Sequence, residues 1–126
     1  MRNDDLIRLR HMFDAAKEAV SFIHGRNRFD LDKDRMLTLS IIKSIEMIGE
    51  AASKVTEEGR KECPEIPWAN IVAMRNRLIH VYFDINLDLV WSTVTDDLPP
   101  LIAALETAIA HEEEDNTGAK GTTVNK

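Results

Sequence analysis

The stretch LTLSIIKSIEMIGEAA, residues 37–52, decides the fold class because its apolar residues recur every three or four positions. This spacing predicts a helix, which we expect to run from about Lys33 to Glu58 and to end near Gly59. One apolar stripe of this helix consists of Leu37, Ile41, Ile45, Ile48, Ala52 and Val55. A neighbouring stripe consists of Leu39, Ile42, Glu46 and Gly49. A helix that is apolar on two faces needs more than one neighbour, so it is either central or part of a dimer interface.

The same periodicity predicts a helix on each side of this segment. The first helix is expected from about Asp4, with Asn3 as its N-cap, to a stop signal at Gly25. After a turn at residues 63–67, Pro67 suits the first turn of a third helix, which starts at Trp68 and ends near residues 84–86. Long apolar stripes of this kind are typical of helices packed lengthwise in a bundle.

The C-terminal part of the sequence predicts one more helix and a tail. Asn86 is expected to cap a fourth helix, which Pro99 and Pro100 must break or bend before it resumes over residues 101–109. From residue 112 onward the sequence is acidic, then rich in Gly, Thr and Lys, with little to bury. Because no strand pattern or internal repeat appears, the predicted fold is all-α. We expect one helical bundle domain over residues 1–111, followed by a disordered tail over residues 112–126.

Composition limits the function classes. A chain of 126 residues with 44% apolar residues suits one globular domain. It has no apolar run of membrane length and no apolar signal core at its acidic N-terminus, so we expect a cytoplasmic protein without membrane contact. The single cysteine, Cys63, cannot form an internal disulfide, and neither it nor the four histidines form a metal-spaced cluster. The sequence therefore predicts no metal and no other cofactor.

The charge distribution is uneven. A net charge of −6 argues mildly against a protein that coats nucleic acid. However, no acidic residue lies between Glu65 and Asp84, whereas Arg75, Arg77 and His80 all do. A local basic site on an acidic protein can still bind a phosphate, because binding responds to the nearby field.

This window contains the polar sequence RNRLIHVY, residues 75–82. Metal-free RNA cleavage needs a group that moves protons at the 2′-hydroxyl or the leaving oxygen, and a cation that holds the scissile phosphate. His80 suits the first role and Arg75 the second, while Asn76 and Arg77 are candidates for support or phosphate contact. On an ideal helix Arg75 and His80 point roughly 140° apart. Either the helix loosens before His80, or two subunits pool their residues in one cleft.

A simpler interpretation of these residues stays open. Arg75 can pair with a carboxylate of the second helix, and His80 can close a helix C-terminus, where a cation is favoured. Glu46 and Glu50, one turn apart on the second helix, can orient the side chain of Arg75 or His80. As easily, they are solvated or pair with lysines on their own helix. We expect no catalytic role for the remaining candidates, which are Cys63, Trp68, Trp91, His11, His24 and His111.

The order Arg75-Asn76-x-x-x-His80-x-Tyr82 resembles the R-x4-H-x-Y signature of the HepT-like branch of the HEPN superfamily. The resemblance covers about residues 6–105. Its other segments are Phe22-Ile23 with Gly25, Ile48-Gly49-Glu50-Ala51-Ala52, Pro64-Glu65-Ile66-Pro67-Trp68, Val90-Trp91 and Asp97-Leu98-Pro99. The motif shows no departure from the family pattern.

This resemblance implies a HEPN-type up-and-down bundle of four to five helices that forms a homodimer and brings two motif copies into one cleft. It implies that Arg75 and His80 belong to a ribonuclease centre that needs no metal. It also implies a toxin–antitoxin pair of the HepT/MntA kind. In such pairs an MntA-like nucleotidyltransferase antitoxin joins the toxin in a hetero-oligomer and transfers AMP from ATP onto the motif tyrosine, here Tyr82.

Three functions remain in competition at this point. The first is the RNA-cutting toxin with RNA as its substrate. The second is a non-catalytic HEPN dimer that binds a nucleotidyltransferase partner or a nucleotide through Arg75, His80 and Tyr82. The third is a plain helical dimer within a larger assembly. Composition and periodicity fit all three, and only the set of motifs favours the first.

Overall fold

The computed structural model describes the backbone of residues 1–79 and 85–124 and the side chains of residues 1–78 and 85–115. Every regular element in that part of the chain is helical. The α-helices are α1 (Asn3–Phe22), α2 (Asp30–Lys33), α3 (Arg35–Ser53), α4 (Glu57–Glu62), α5 (Trp68–Ile79), α6 (Leu87–Ser92) and α7 (Leu98–Val124). A π-helical turn, Thr93–Asp97, joins α6 to α7. The predicted all-α fold is confirmed.

The centre of the bundle is α3, which packs against α1 on one side and α5 on the other, while α7 covers α1. All six residues of the first apolar stripe predicted for this helix are buried, from Leu37 to Val55. The second stripe is mixed, because Ile42 and Gly49 are buried whereas Leu39 is exposed and Glu46 is half-buried. The position of α3 between two long helices explains why its sequence is apolar on two faces.

The second predicted helix ends earlier than expected. Instead of continuing to Glu58, α3 stops at Ser53, and Thr56 caps the separate helix α4 by accepting a hydrogen bond from Gly59 N. Gly59 is therefore not a stop signal but lies inside α4. A Cβ atom on Gly59 would come within 2.6 Å of Asp5 Oδ2, so the glycine lets α4 approach the buried carboxylate of α1.

Asp5 holds the start of α4 against α1. Its carboxylate accepts hydrogen bonds from Thr56 N at 2.9 Å and from Thr56 Oγ1 at 2.5 Å. We expect Asp5→Ala to lower the free energy of unfolding by about 2–3 kcal/mol, because the Thr56 N–H loses its charged acceptor inside the protein. Urea denaturation measures this loss. The matched control is Asp4→Ala, in the same helical turn but exposed. Equal losses in the two variants would show that the Asp5 contact does not stabilise the fold.

Three other boundaries test the sequence predictions. Asn3 is the first residue of α1 and Arg2 occupies the N-cap, so the predicted cap was wrong by one position. The first helix ends at Phe22, three residues before the predicted stop at Gly25, which has a φ of 72° in the turn that follows. Asn86 caps α6 as predicted, since its side chain accepts from Leu89 N.

The two prolines do not break the last helix. Pro99 and Pro100 lie in the first turn of α7, directly after the π-helical turn Thr93–Asp97. Neither proline has an N–H to donate to the preceding turn, and the wider π turn is a way of accommodating the missing donors without ending the helix. Where a break or bend was predicted, the chain changes from α-helix to π-helix over Thr93–Asp97 and returns to α-helix at Leu98.

The start of the C-terminal tail differs from the prediction of disorder from residue 112. In the structure α7 continues through Val124. Glu112 is buried and lies 3.4 Å from the Met1 ammonium group, and Glu113 pairs with Arg10 of α1. These contacts explain why the helix passes residue 112. Among the described residues, no helix is long and apolar enough to cross a membrane.

Candidate functional site

Arg75 lies on α5, on the side that faces α3. The buried residues Ile71, Met74 and Leu78 hold α5 in the bundle. Arg75 donates from Nη2 to Glu50 Oε2 of α3 at 3.3 Å, and 29% of its side chain is exposed. The simpler expectation that Arg75 pairs with a carboxylate of the second predicted helix is therefore confirmed. Arg75 is thus paired but not fully buried.

The aliphatic part of the Arg75 side chain rests on the backbone of α3 at Gly49. A Cβ atom on Gly49 would lie 2.7 Å from Arg75 Cβ and 2.8 Å from Arg75 Cγ, distances that real Cβ contacts essentially never show. The missing side chain of Gly49 thus creates the space that Arg75 occupies. The second predicted stripe of α3 includes Gly49 because α5 approaches there.

Charges around Arg75 form a small network that is positive in sum. Glu50 also lies 3.7 Å from Lys54 Nζ, one turn along α3, so a single carboxylate stands between two cations. Arg75 Nε is buried and has no hydrogen-bond partner among the described residues. An unbalanced positive charge with a partly exposed arginine is suited to bind a phosphate.

Arg77 points away from this network. It lines a cavity of about 590 Å³ between α5, the π-helical turn and the start of α7, together with Asp96 and Asp97. Asn76 is exposed at the surface of α5. The structure therefore brings Arg75 and Glu50 together but places Arg77 on another side of the helix.

His80 and Tyr82 lie outside the described residues, so their predicted roles stay predictions. Glu46 is half-buried, and within residues 1–78 and 85–115 it has no ion-pair partner within 4 Å. The histidines His11, His24 and His111 are exposed. No group of three or more potential metal ligands was found in the described part of the chain.

Arg60, which the sequence did not single out, fixes the start of α5. Its guanidinium carbon lies 5.5 Å from the ring centroid of Trp68, and its Nη2 donates to Ala52 O at the end of α3 at 3.0 Å. Trp68 Nε1 donates to Cys63 O at 3.0 Å. These contacts lock the turn before α5 to α3 and so help to set the position of Arg75. Arg60 and Trp68 are eight residues apart with a proline-rich turn between them, so no helical spacing signals the contact.

Cys63 has the properties of a structural thiol. Burial, with a further contribution from nearby carboxylates such as Glu65, raises the pKa of this thiol to about 11. The thiol therefore stays protonated at neutral pH and is a poor nucleophile. This agrees with the prediction that Cys63 has no catalytic role.

The family model for HepT-like ribonucleases matches residues 12–108, which include α3, α5 and the Arg75 network. The chain belongs to the HepT-like ribonuclease family. It is similar to a putative RNase of Caldanaerobacter subterraneus subsp. tengcongensis, with 33% identity over 74% of the chain and 83% of the relative. A putative RNase of Methanocaldococcus jannaschii shares 30% identity over 75% of the chain and 87% of its own length.

A third relative carries the family's name. The probable ribonuclease HepT of Thermococcus cleftensis is 36% identical over 58% of this HepT-like chain and 66% of its own length. No solved structure is a significant match for the chain. Because the region that matches the family model contains Arg75, its network on α3 and α5 is the candidate site.

Proposed function

We propose that this HepT-like chain is the RNA-cutting toxin of a HepT/MntA-type toxin–antitoxin pair. The observation that carries the proposal is Arg75, which is held against α3 by Gly49 and Glu50 while 29% of its side chain stays exposed. Its place in a family of ribonucleases supports RNA as the substrate. The activity needs no metal, because the arginine and the histidine of the motif divide the chemistry between them.

In the proposed reaction the 2′-oxygen of the substrate attacks the neighbouring phosphorus, and the bond from phosphorus to the leaving 5′-oxygen breaks. The products are a 2′,3′-cyclic phosphate and a free 5′-hydroxyl, so one proton leaves the 2′-hydroxyl and one is delivered to the 5′-oxygen. His80 carries one of these two transfers at neutral pH, and water carries the other. Arg75 binds the non-bridging phosphate oxygens and stabilises the charge that grows there in the transition state. Asn76, exposed beside Arg75, is a candidate for a supporting contact.

A homodimer completes the proposed site. On the outer face of α3, Met36 is 80% exposed and Met47 is 49% exposed. Both residues lie on the helical face that also carries Glu50, the partner of Arg75. A second copy that covers these methionines would bring two Arg75 networks close together. Such a shared cleft is one of the two arrangements that would let Arg75 and His80 act on the same phosphate.

We expect Met36→Asp/Met47→Asp to convert the dimer into a monomer and to abolish cleavage, because the change removes two apolar side chains from the proposed interface and burying the new carboxylates there costs free energy. Light scattering coupled to gel filtration measures the mass, and circular dichroism checks the helical content. Ile7→Asp is the matched control, since Ile7 is an exposed apolar residue on α1. A double variant that stays dimeric would place the interface elsewhere.

The proposed function is tested by incubating the purified chain with total RNA, with and without a chelator. Cleavage by the unmodified chain that is lost in Arg75→Ala supports it. If the RNA stays intact while the chain binds a nucleotidyltransferase or a nucleotide, the protein is a binding module instead. A nucleotidyltransferase gene next to this one would support the toxin–antitoxin assignment.

A further inference from the structure

We propose that Gly49 and Glu50 are positioning residues for Arg75, so that α3 and not α5 alone aims the guanidinium group at the scissile phosphate. The proposal rests on the proposed ribonuclease function and deepens it. Neither residue touches the substrate in this scheme. Both act through Arg75, one on its aliphatic stem and the other on its charged end.

Gly49 determines the path of the stem. Since a Cβ atom there would lie less than 3 Å from both Arg75 Cβ and Arg75 Cγ, any other residue forces the stem to move. The clash begins at Arg75 Cβ, which is fixed to the α5 backbone, so a change of rotamer alone does not relieve it. Alanine at this position must shift the arginine or push α5 away from α3.

Glu50 determines the direction of the charged end. Its Oε2 accepts from Arg75 Nη2 at 3.3 Å, while Lys54 Nζ lies 3.7 Å from its Oε1 and holds the carboxylate from the other side. Arg75 Nε is buried. The edge of the guanidinium group that carries Nε is therefore turned away from solvent, and the phosphate must approach the terminal nitrogens. A side chain fixed at its stem and at one terminal nitrogen loses little freedom when the phosphate binds.

The test compares RNA cleavage by Gly49→Ala, Glu50→Ala and Glu50→Gln. We expect Gly49→Ala to lower kcat about 10- to 100-fold with little change in KM, because a displacement near 1 Å can cost about 100-fold. Glu50→Ala should lower kcat in the same sense. Glu50→Gln should recover part of the loss, since the amide oxygen still accepts a hydrogen bond from Arg75.

Gly59→Ala is the matched control for the glycine. It also lies in a helix where a Cβ atom would clash, but its neighbour is Asp5 and not Arg75. This variant should lose stability while the folded protein keeps its kcat. If Gly49→Ala keeps the kcat of the unmodified chain, or if both glycine variants lose kcat in proportion to stability, the proposal is wrong. Should Gly49→Ala fail to fold, an unchanged kcat in Glu50→Ala would overturn it equally.

A measurement without RNA separates this proposal from the proposed function. The Nε–H signal of Arg75 in an NMR spectrum, assigned by its loss in Arg75→Lys, should be protected from exchange because the atom is buried. Gly49→Ala and Glu50→Ala should shift this signal and remove its protection. An unchanged signal would overturn the positioning role whether or not the chain cuts RNA. If the Nε–H signal loses its protection in these variants but the chain does not cut RNA, the positioning role is supported and the proposed ribonuclease activity is wrong.

Discussion

Replacing Arg75 by alanine is expected to lower RNA cleavage by at least about 100-fold, the usual cost of removing one group that stabilises transition-state charge. The fold should survive, because 29% of the side chain is exposed and the stem contributes contacts but no buried ion pair to the core. Arg75→Lys should restore little activity. A lysine presents a point charge and cannot place two parallel donors on a phosphate. Single-turnover cleavage of a defined RNA measures these effects.

His80→Ala should remove cleavage and cellular toxicity to a similar or greater extent, since positioned proton transfer contributes roughly 100- to 10,000-fold. The helical content should not change. Lys17→Ala, which removes an exposed positive charge on α1 outside the Arg75 network, tests whether bulk positive charge is enough. A loss as deep as that of Arg75→Ala would mean that the site works by general attraction for RNA and not by the aligned guanidinium group.

Metal independence has its own control. Cleavage should persist in excess chelator, because the proposed chemistry assigns phosphate binding to Arg75 and proton transfer to His80. If activity stops with chelator and returns with magnesium, a metal ion and not the arginine stabilises the phosphate. The assigned roles would then be wrong even though the family assignment holds.

The apolar pattern was enough to predict the core. The first stripe of α3 is buried from Leu37 to Val55, and α5 starts at Trp68 as the preceding proline indicated. These features follow from helical periodicity and local capping, which depend on residues a few positions apart. The cap at Asn86 belongs to the same class, because its donor is only three residues away.

The features that escaped prediction depend on contacts between distant parts of the chain. Gly59 looked like a stop signal because its real partner, Asp5, lies on another helix. Arg60 reaches Trp68 across a turn, and Gly49 meets Arg75 only because α3 and α5 cross at that point. The sequence motif identified Arg75 as a candidate site residue, but it could not show which residues orient the Arg75 side chain. The orientation depends on how closely the backbones of α3 and α5 approach each other, and the helical periodicity of a sequence does not contain this distance.

The same limit applies to Arg77. Its place two residues after Arg75 suggested a shared phosphate site, yet positions two apart face nearly opposite sides of a helix. The structure places it beside Asp96 and Asp97, at a cavity away from Gly49 and Glu50. We therefore expect Arg77→Ala to affect cleavage far less than Arg75→Ala.

We expect Tyr82→Phe to keep the proposed toxin active in cells that also produce the nucleotidyltransferase antitoxin. The chain with Tyr82 intact should be silenced in the same cells. The proposed switch is transfer of AMP from ATP to the Tyr82 hydroxyl, with release of pyrophosphate. Tyr82 follows His80 by two residues in the motif. An AMP group on Tyr82 would add bulk and a negative phosphate two residues along the chain from His80, the proposed catalytic residue, and we expect it to compete with RNA for Arg75.

The competing interpretation is that Tyr82 is a packing residue with its hydroxyl in water, which is usual for tyrosine. Intact-mass analysis after co-expression separates the two, because modification adds an AMP-sized increment to the peptide that contains Tyr82. Phenylalanine keeps the ring and removes only the hydroxyl, so Tyr82→Phe should retain the fold and the cleavage activity. If the chain with Tyr82 intact is silenced without a gain in mass, the antitoxin acts by binding. In that case Tyr82→Phe should be silenced as well, and the predicted covalent switch would be wrong.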